Sequence, residues 1–262
     1  MDIDKEREKI GKFIKAGLLG LSIVLLVGCS VMYLPKIVTV FQEEKPKENL
    51  PINSVDCNDK KLALSFDVSG SNDKIDNILE VLESLGIKAT FFMTGDWIDE
   101  HADEVRVIYR KGHDIGNRSL RNKRMTDLSQ EECKQEIQSV HKKVKDLTGQ
   151  DMNLFRAPYG EFNETIMKAA EELGYYPIGE TVDSMDWKDY GVAPLVNKVC
   201  NHEKLKEGAI ILCHTDTKFT KDALSKIVKT LQKEGYTFEK VSKLIYSYNY
   251  FIDETGRQTR KI

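Results

Sequence analysis

The sequence predicts an α/β chain: a barrel of about seven β/α units, preceded by one membrane-crossing helix. Three observations carry that expectation. Short apolar runs alternate with helical stripes from Lys60 onward, and a polar residue stands at or just past the end of several of those runs. An uncharged stretch, Ala16 to Leu34, follows a basic N-terminus.

Residues 1–15 include "KEREKIGKFIK", with five cations, and are expected in the cytoplasm. The next segment, "AGLLGLSIVLLVGCSVMYL" (16–34), has no polar face. At ~1.5 Å rise per residue it nearly crosses a ~30 Å hydrocarbon core. Apolar residues continue past Cys29, which favours an uncleaved signal-anchor. "LVGC" at 26–29 is similar to a bacterial lipobox, so a lipoprotein signal stays open, with a removable signal peptide third. The expected location is the cell membrane, single-pass, with the folded domain outside the cytoplasm. Residues 35–59 mix charge, proline and asparagine without a period and read as a linker.

The domain itself is expected at 60–247. "KLALSFDV" (61–68) reads as a strand. In "KIDNILEVLESLG", Ile75, Ile78, Leu79, Leu82 and Leu85 form a helical stripe closed by Gly86, and "KATFFMTG" is the second strand. One helix is expected through "DWIDEHADEVRVIYRKG", then a short strand "HDIGN". Ser129 and Glu132 make a capping-box pattern that opens the next helix. "NLFRAPYG" follows, then a helix capped by Asn163, a strand "YYPIGETV", a helix "PLVNKVCN" and the apolar strand "GAIILCH". "KDALSKIVKTLQKEG" and "YTFEKVSKLI" close the alternation, and residues 248–262 read as a polar tail.

Composition narrows the class. With 262 residues, 40% hydrophobic and 31% charged, the chain can bury one sizeable core. Its net charge of -3, with both signs interspersed, gives no nucleic-acid footprint. Cys57, Cys133, Cys200 and Cys213 show no zinc spacing, and free buried thiols are favoured over disulfides.

Barrels of this kind do their chemistry at the C-terminal ends of the strands, which directs attention to Asp67, Asn117, Arg156, Asp183 and His214. Any one of them has a plain structural reading as a cap or turn residue. Together they supply what acid–base hydrolysis needs: a base, a cation to orient it, and a proton donor for the leaving amine.

Carried on five motifs, the stretch from about Lys60 to Leu244 resembles the polysaccharide deacetylase family. The resemblance implies a distorted (β/α) barrel of about seven strands. It also implies removal of N- or O-acetyl groups from chitin, peptidoglycan or xylan with a divalent metal such as zinc or cobalt. "SFDVSG" places Asp67 at the family's general base and Val68 where its metal-binding aspartate stands. "GHDIGNRSLRN" places Arg118 and Asn122 at the two metal-histidine positions, so no metal ligand is assigned. "RAPYG" implies that Arg156 orients the base and that the Tyr159 amide helps to bind an oxyanion. "DSMDW" supplies Asp183, Asp186 and Trp187; the resemblance implies that an aspartate there tunes the histidine and that the tryptophan walls the pocket, and Asp183 is placed among the catalytic residues. "ILCH" supplies His214 as proton donor and Leu212 as pocket lining; Asn117 and Arg118 are expected to touch substrate.

Without a metal the pKa of the attacking water is not lowered from 15.7 to about 7, and an aspartate held by an arginine is a poor base for ordinary water. A different metal site from His113, Asp114 and Asp67 is disfavoured, while Arg118 offers a fixed cation that supports binding better than turnover. The expected function is a membrane-anchored hydrolase of N-acetyl groups on cell-wall amino sugars, with a degenerate metal site and weak activity. The alternative is a glycan-binding protein of the same fold without catalysis. The expected partners are a cell-wall glycan and the membrane, and no nucleic acid.

Overall fold

The computed structural model describes residues 50–70 and 74–261. The expected cytoplasmic segment, the membrane-crossing helix and the first part of the linker lie outside the described residues. Among the described residues no helix is long and apolar enough to cross a membrane.

β2 (Lys61–Val68) organises the sheet. Every residue from Leu62 to Val68 is buried, as in a strand covered on both faces. It pairs in parallel with β3 (Thr90–Met93) on one side and β8 (Ile210–His214) on the other. Beyond β3 come β4 (Asp114–Asn117), β5 (Leu154–Phe155) and β6 (Tyr176–Pro177), and beyond β8 comes β7 (Val182–Asp183). β9 (Thr237–Glu239) joins the start of β2.

The two faces of β2 separate core from site because side chains alternate along a strand. Leu62, Leu64, Phe66 and Val68 belong to the main apolar cluster, together with helix residues such as Ile78, Leu82, Ile137 and Leu224. On the other face Ala63 joins Phe92, Leu154, Ile178 and Ile210 in a second apolar cluster. Ser65 and then Asp67 continue that face, so the interior turns polar toward the C-terminal ends of the strands.

Around the sheet, α1 (Ile75–Ser84) buries Ile75, Ile78, Leu79 and Leu82, each worth ~1.5–3 kcal/mol relative to exposure. α2 (Gly95–Glu100) and α3 (Ala102–Arg110) replace the single helix expected there. His101 leaves the helical region (φ -133, ψ 44) with its ring against Trp97, and Asp103 and Glu104 begin a fresh helix start. α4 (Gln130–Thr148) carries the complete Ser129–Glu132 capping box and ends on Gly149 in the left-handed conformation. Asn163 caps α5 (Glu164–Glu172) by accepting from the Ile166 amide at 2.9 Å. α6 (Val192–Cys200), α7 (Thr220–Lys233) and α8 (Val241–Leu244) complete the layer.

The expected distorted barrel of about seven strands takes the form of a curled half-barrel: a sheet of seven parallel strands that stays open between β6 and β7. The run "YYPIGETV" does not form one strand: its start pairs with β5 and its end with β8, and β6 and β7 do not pair with each other. Pro177 lacks an N–H, and the carbonyls of Ile178 and Gly179 in the break accept from the Arg156 side chain at 3.4 and 3.0 Å. The same arginine therefore fills the seam and reaches the site.

The expected linker and polar tail also acquire structure. β1 (Ser54–Val55), β10 (Tyr250–Ile252) and β11 (Arg257–Arg260) form a separate three-stranded sheet in the order β1-β11-β10. The domain thus extends beyond 60–247 at both ends. A two-residue strand has no period to read, and the buried Gln258 looks polar in sequence although its side chain bonds both backbone groups of Tyr246. The four cysteines of the domain are free, and Cys133, Cys200 and Cys213 are buried.

His113 lies at the end of the sheet away from Asp67, just before β4 starts at Asp114 opposite Thr90. Its Nδ1 accepts from the Ala89 amide at 3.1 Å, and its ring packs edge-on against Phe91. Asp114 is held by Lys240 at 2.9 Å. The grouping of His113, Asp114 and Asp67 is therefore not assembled. Burial, with Lys88, Lys240 and Lys111 nearby, pushes His113 down to about 4. An unfolded histidine titrates near 6.5, so between about 6.5 and 4 only the unfolded chain takes up this proton, and stability falls as pH falls. Urea unfolding should show the wild-type chain losing about 2 kcal/mol from this group between pH 7 and pH 5. His113→Gln should flatten the profile by that amount; an unchanged profile would refute the assignment.

Candidate active site

Asp67 is buried at the C-terminal end of β2, and both of its carboxylate oxygens are engaged by arginines. Arg156 Nη1 donates to Oδ1 at 3.0 Å and Arg118 Nη1 donates to Oδ2. Arg156 is wholly enclosed: its guanidinium lies over the Phe92 ring at 4.2 Å and its Nη2 also donates to Ser65 Oγ at 2.9 Å. Ser65 in turn donates to the Ile211 carbonyl at 2.8 Å.

Arg118 reaches Asp67 because its loop is tied on three sides. The Arg118 amide donates to the Met93 carbonyl, and the amides of Gly95 and Asp96 at the start of α2 donate to the carbonyls of Ser119 and Leu120. Glu136 on α4 accepts from Ser119 Oγ and the Leu120 amide, both at 2.9 Å. Ser119 and Asn122 both take positive φ, of 67 and 49. Burial and repulsion from Arg156 push Arg118 down to about 9, against the pull of Glu180, Tyr159 and Asp216. Burial pushes Arg156 down to about 10, against the pull of Glu180, Cys213 and Asp183. Both guanidiniums are charged at neutral pH.

His214 ends β8 directly opposite Asp67 in the parallel register, on the same interior face as Leu212. Its Nδ1 is 2.7 Å from Asp186 Oδ1, and its backbone amide donates to Asp186 Oδ2, also at 2.7 Å. Thr220 donates to the same oxygen at 2.6 Å. Burial alone would raise the Asp186 pKa, but the bonds from His214 and Thr220 outweigh it and hold the carboxyl below its usual value. The aspartate against the histidine is therefore Asp186, whereas Asp183, placed among the catalytic residues from sequence, does not touch His214. Asp183 ends β7 and accepts from the Met185 amide at 2.8 Å, fixing the turn that delivers Asp186.

The remaining expected residues divide. Tyr159 sits in the short turn Pro158–Gly160 at φ 62 and is exposed, with Arg124 over its ring. Trp187 is exposed beside Asp186, and Leu212 is buried. Asn117 does not reach the rim. It is fully buried, its Nδ2 donates to the Ile137 carbonyl at 2.8 Å and its Oδ1 accepts from the Ser119 amide at 2.9 Å. Thr220 and Glu136 carry no local motif that marks them as site residues, and Ser65, although it opens "SFDVSG", reads in sequence as one more residue of an apolar strand.

The donors at the rim do not fit a divalent cation. Asp67 is bound by two guanidiniums, Val68 is buried in the apolar cluster, and the Arg118 cation stands at the carboxylate. Asn122 offers one neutral amide oxygen, which is buried without a partner. Among the described residues no three His, Cys, Asp or Glu side chains converge as a metal site. The arrangement thus sets His214, held by Asp186, opposite a carboxylate whose oxygens are already engaged.

Residues 54–178 match the polysaccharide deacetylase family. The peptidoglycan-N-acetylmuramic acid deacetylase PdaA of Bacillus subtilis is 30% identical over 192 residues, covering 72% of each chain. The chain belongs to the polysaccharide deacetylase family. A peptidoglycan-N-acetylglucosamine deacetylase of Bacillus cereus is 32% identical over 193 residues, covering 72% of this chain and 89% of its own. Among solved structures, a CE4 family pseudoenzyme from Bacillus anthracis superposes with a TM-score of 0.72 at 30% identity, over 75% of this chain and 69% of its own. A mutant of that pseudoenzyme is described as having restored enzymatic activity, with the same TM-score and coverage of 75% and 71%. Within this family fold, the present chain holds Asp67 between Arg156 and Arg118.

Proposed function

We propose that this protein binds a cell-wall glycan of the peptidoglycan type and does not deacetylate it. The observation that carries the reading is the Arg118 guanidinium on the buried carboxylate of Asp67. Water activation needs either a metal or a free base of suitable pKa. Here a fixed cation occupies the base, and the positions where the family resemblance puts metal ligands hold Val68, Arg118 and Asn122. The relatives named for peptidoglycan substrates support the polymer class, and the pseudoenzyme neighbour supports the loss of turnover.

Residual hydrolysis is the second reading, favoured by the intact contact between His214 and Asp186. The segment 16–34 would tether the domain at the outer face of the cell membrane, next to such a polymer. The test is co-sedimentation of the full chain with insoluble peptidoglycan, alongside an assay of released acetate. Retention on the polymer with no acetate above a blank is expected. Failure to bind, or acetate release that scales with protein, sinks the proposal.

A further inference from the structure

A cleft of about 310 Å³ opens beside Asp186, between the 184–191 turn, α6 and Phe219. Its position matters because Asp186 is shared: the residue that holds His214 also lines this second space. Asp186 is thus the residue that the cleft and the candidate active site have in common.

The lining is of two kinds. Met185, Leu195 and Phe219 give it apolar surface, while Tyr190, Asn197 and Lys198 stand at its edge. The edge offers mainly donors. Asn197 Oδ1 already accepts from Asn201 at 2.8 Å, which leaves its NH₂ group to serve a ligand. Lys198 has three donors and no acceptor. The Asp186 carboxylate offers nothing in return, because His214 and Thr220 occupy it. No side chain caps the N-terminus of α6, and that end of the helix favours negative charge.

The wall is also built rather than loose. Met185, Asp189 and Gly191 all take positive φ, of 52, 53 and 106. Aspartate and glycine adopt this conformation readily, so Met185 is the strained position of the turn.

An occupant must therefore bring acceptors and a negative charge, with small apolar groups between them. We infer that this cleft takes the short peptide, ending in a carboxylate, that substitutes a peptidoglycan strand, and so distinguishes such a strand from an unsubstituted N-acetylglucosamine polymer. The inference rests on the glycan-binding reading and specifies which glycan. Carboxylate and peptide carbonyls meet Lys198, Asn197 and Tyr190, and alanine-sized side chains lie on Leu195 and Phe219. The exposed Trp187 is left to cover the sugar rings.

The experiment is calorimetric titration of the full chain with two probes. One is the N-acetylglucosamine–N-acetylmuramic acid disaccharide carrying an alanyl-isoglutamine dipeptide; the other is the N-acetylglucosamine dimer. The peptide-bearing probe should bind at least about tenfold more tightly, a difference of about 1.4 kcal/mol. Lys198→Met should remove most of that preference and leave affinity for the dimer unchanged. Equal affinities for the two probes, or a preference that survives both Lys198→Met and Asn197→Ala, overturns the subsite and leaves glycan binding standing. Binding of neither probe overturns glycan binding itself and the subsite with it.

Discussion

Arg156→Ala should lower the stability of the domain by about 3–5 kcal/mol, read as a fall in the urea midpoint at pH 7. The size follows from what Arg156 satisfies at once: Asp67, Ser65 and the carbonyls of Ile178 and Gly179, in a pocket closed by Phe92. Truncation leaves buried acceptors without donors and a void where the guanidinium lay. Against a typical total of 5–15 kcal/mol this is a large fraction.

Arg118→Ala should cost much less. It removes one bond to Asp67, but it also relieves the repulsion between two buried guanidiniums and leaves a matched pair of Asp67 with Arg156. If the two alanine variants were equally destabilised, the division between a seam-filling arginine and a site-blocking one would fail.

The second large effect is a gain. Combining Val68→Asp, Arg118→His and Asn122→His should produce a protein that binds zinc, whereas the parent chain does not. Without metal the variant should be less stable than wild type, because an aspartate then stands in the apolar cluster that now holds Val68. Zinc at about 100 times its Kd should return about 2.7 kcal/mol. The check is thermal unfolding with and without zinc. A variant whose Tm ignores zinc would show that more than these three side chains separates the present site from a metal site.

How much of this was legible in sequence depends on what each residue's role requires. α1 and α4 were readable because their apolar stripe and capping box are local patterns. The strand ends Asp67 and His214 were readable because an apolar run delivers them to one rim. The seam at Pro177–Thr181 was not, since its carbonyls are satisfied by Arg156, more than twenty residues away in the chain. The choice between Asp183 and Asp186 also escaped, because both sit in one turn and only the left-handed Met185 between them decides which side chain turns to His214. Asn117 carried the wrong expectation for a related reason. A polar residue at a strand end can point inward, and here it ties β4 to α4 through the Ile137 carbonyl.

The central question is whether Asp67 can act as a base while Arg118 holds it. The deciding measurement is acetate release from peptidoglycan by the full chain at saturating zinc, with Asp67→Asn as the matched control. No release above that control is predicted, with zinc or without it. Zinc-dependent acetate release that is present in the wild-type chain and absent in Asp67→Asn would contradict the account.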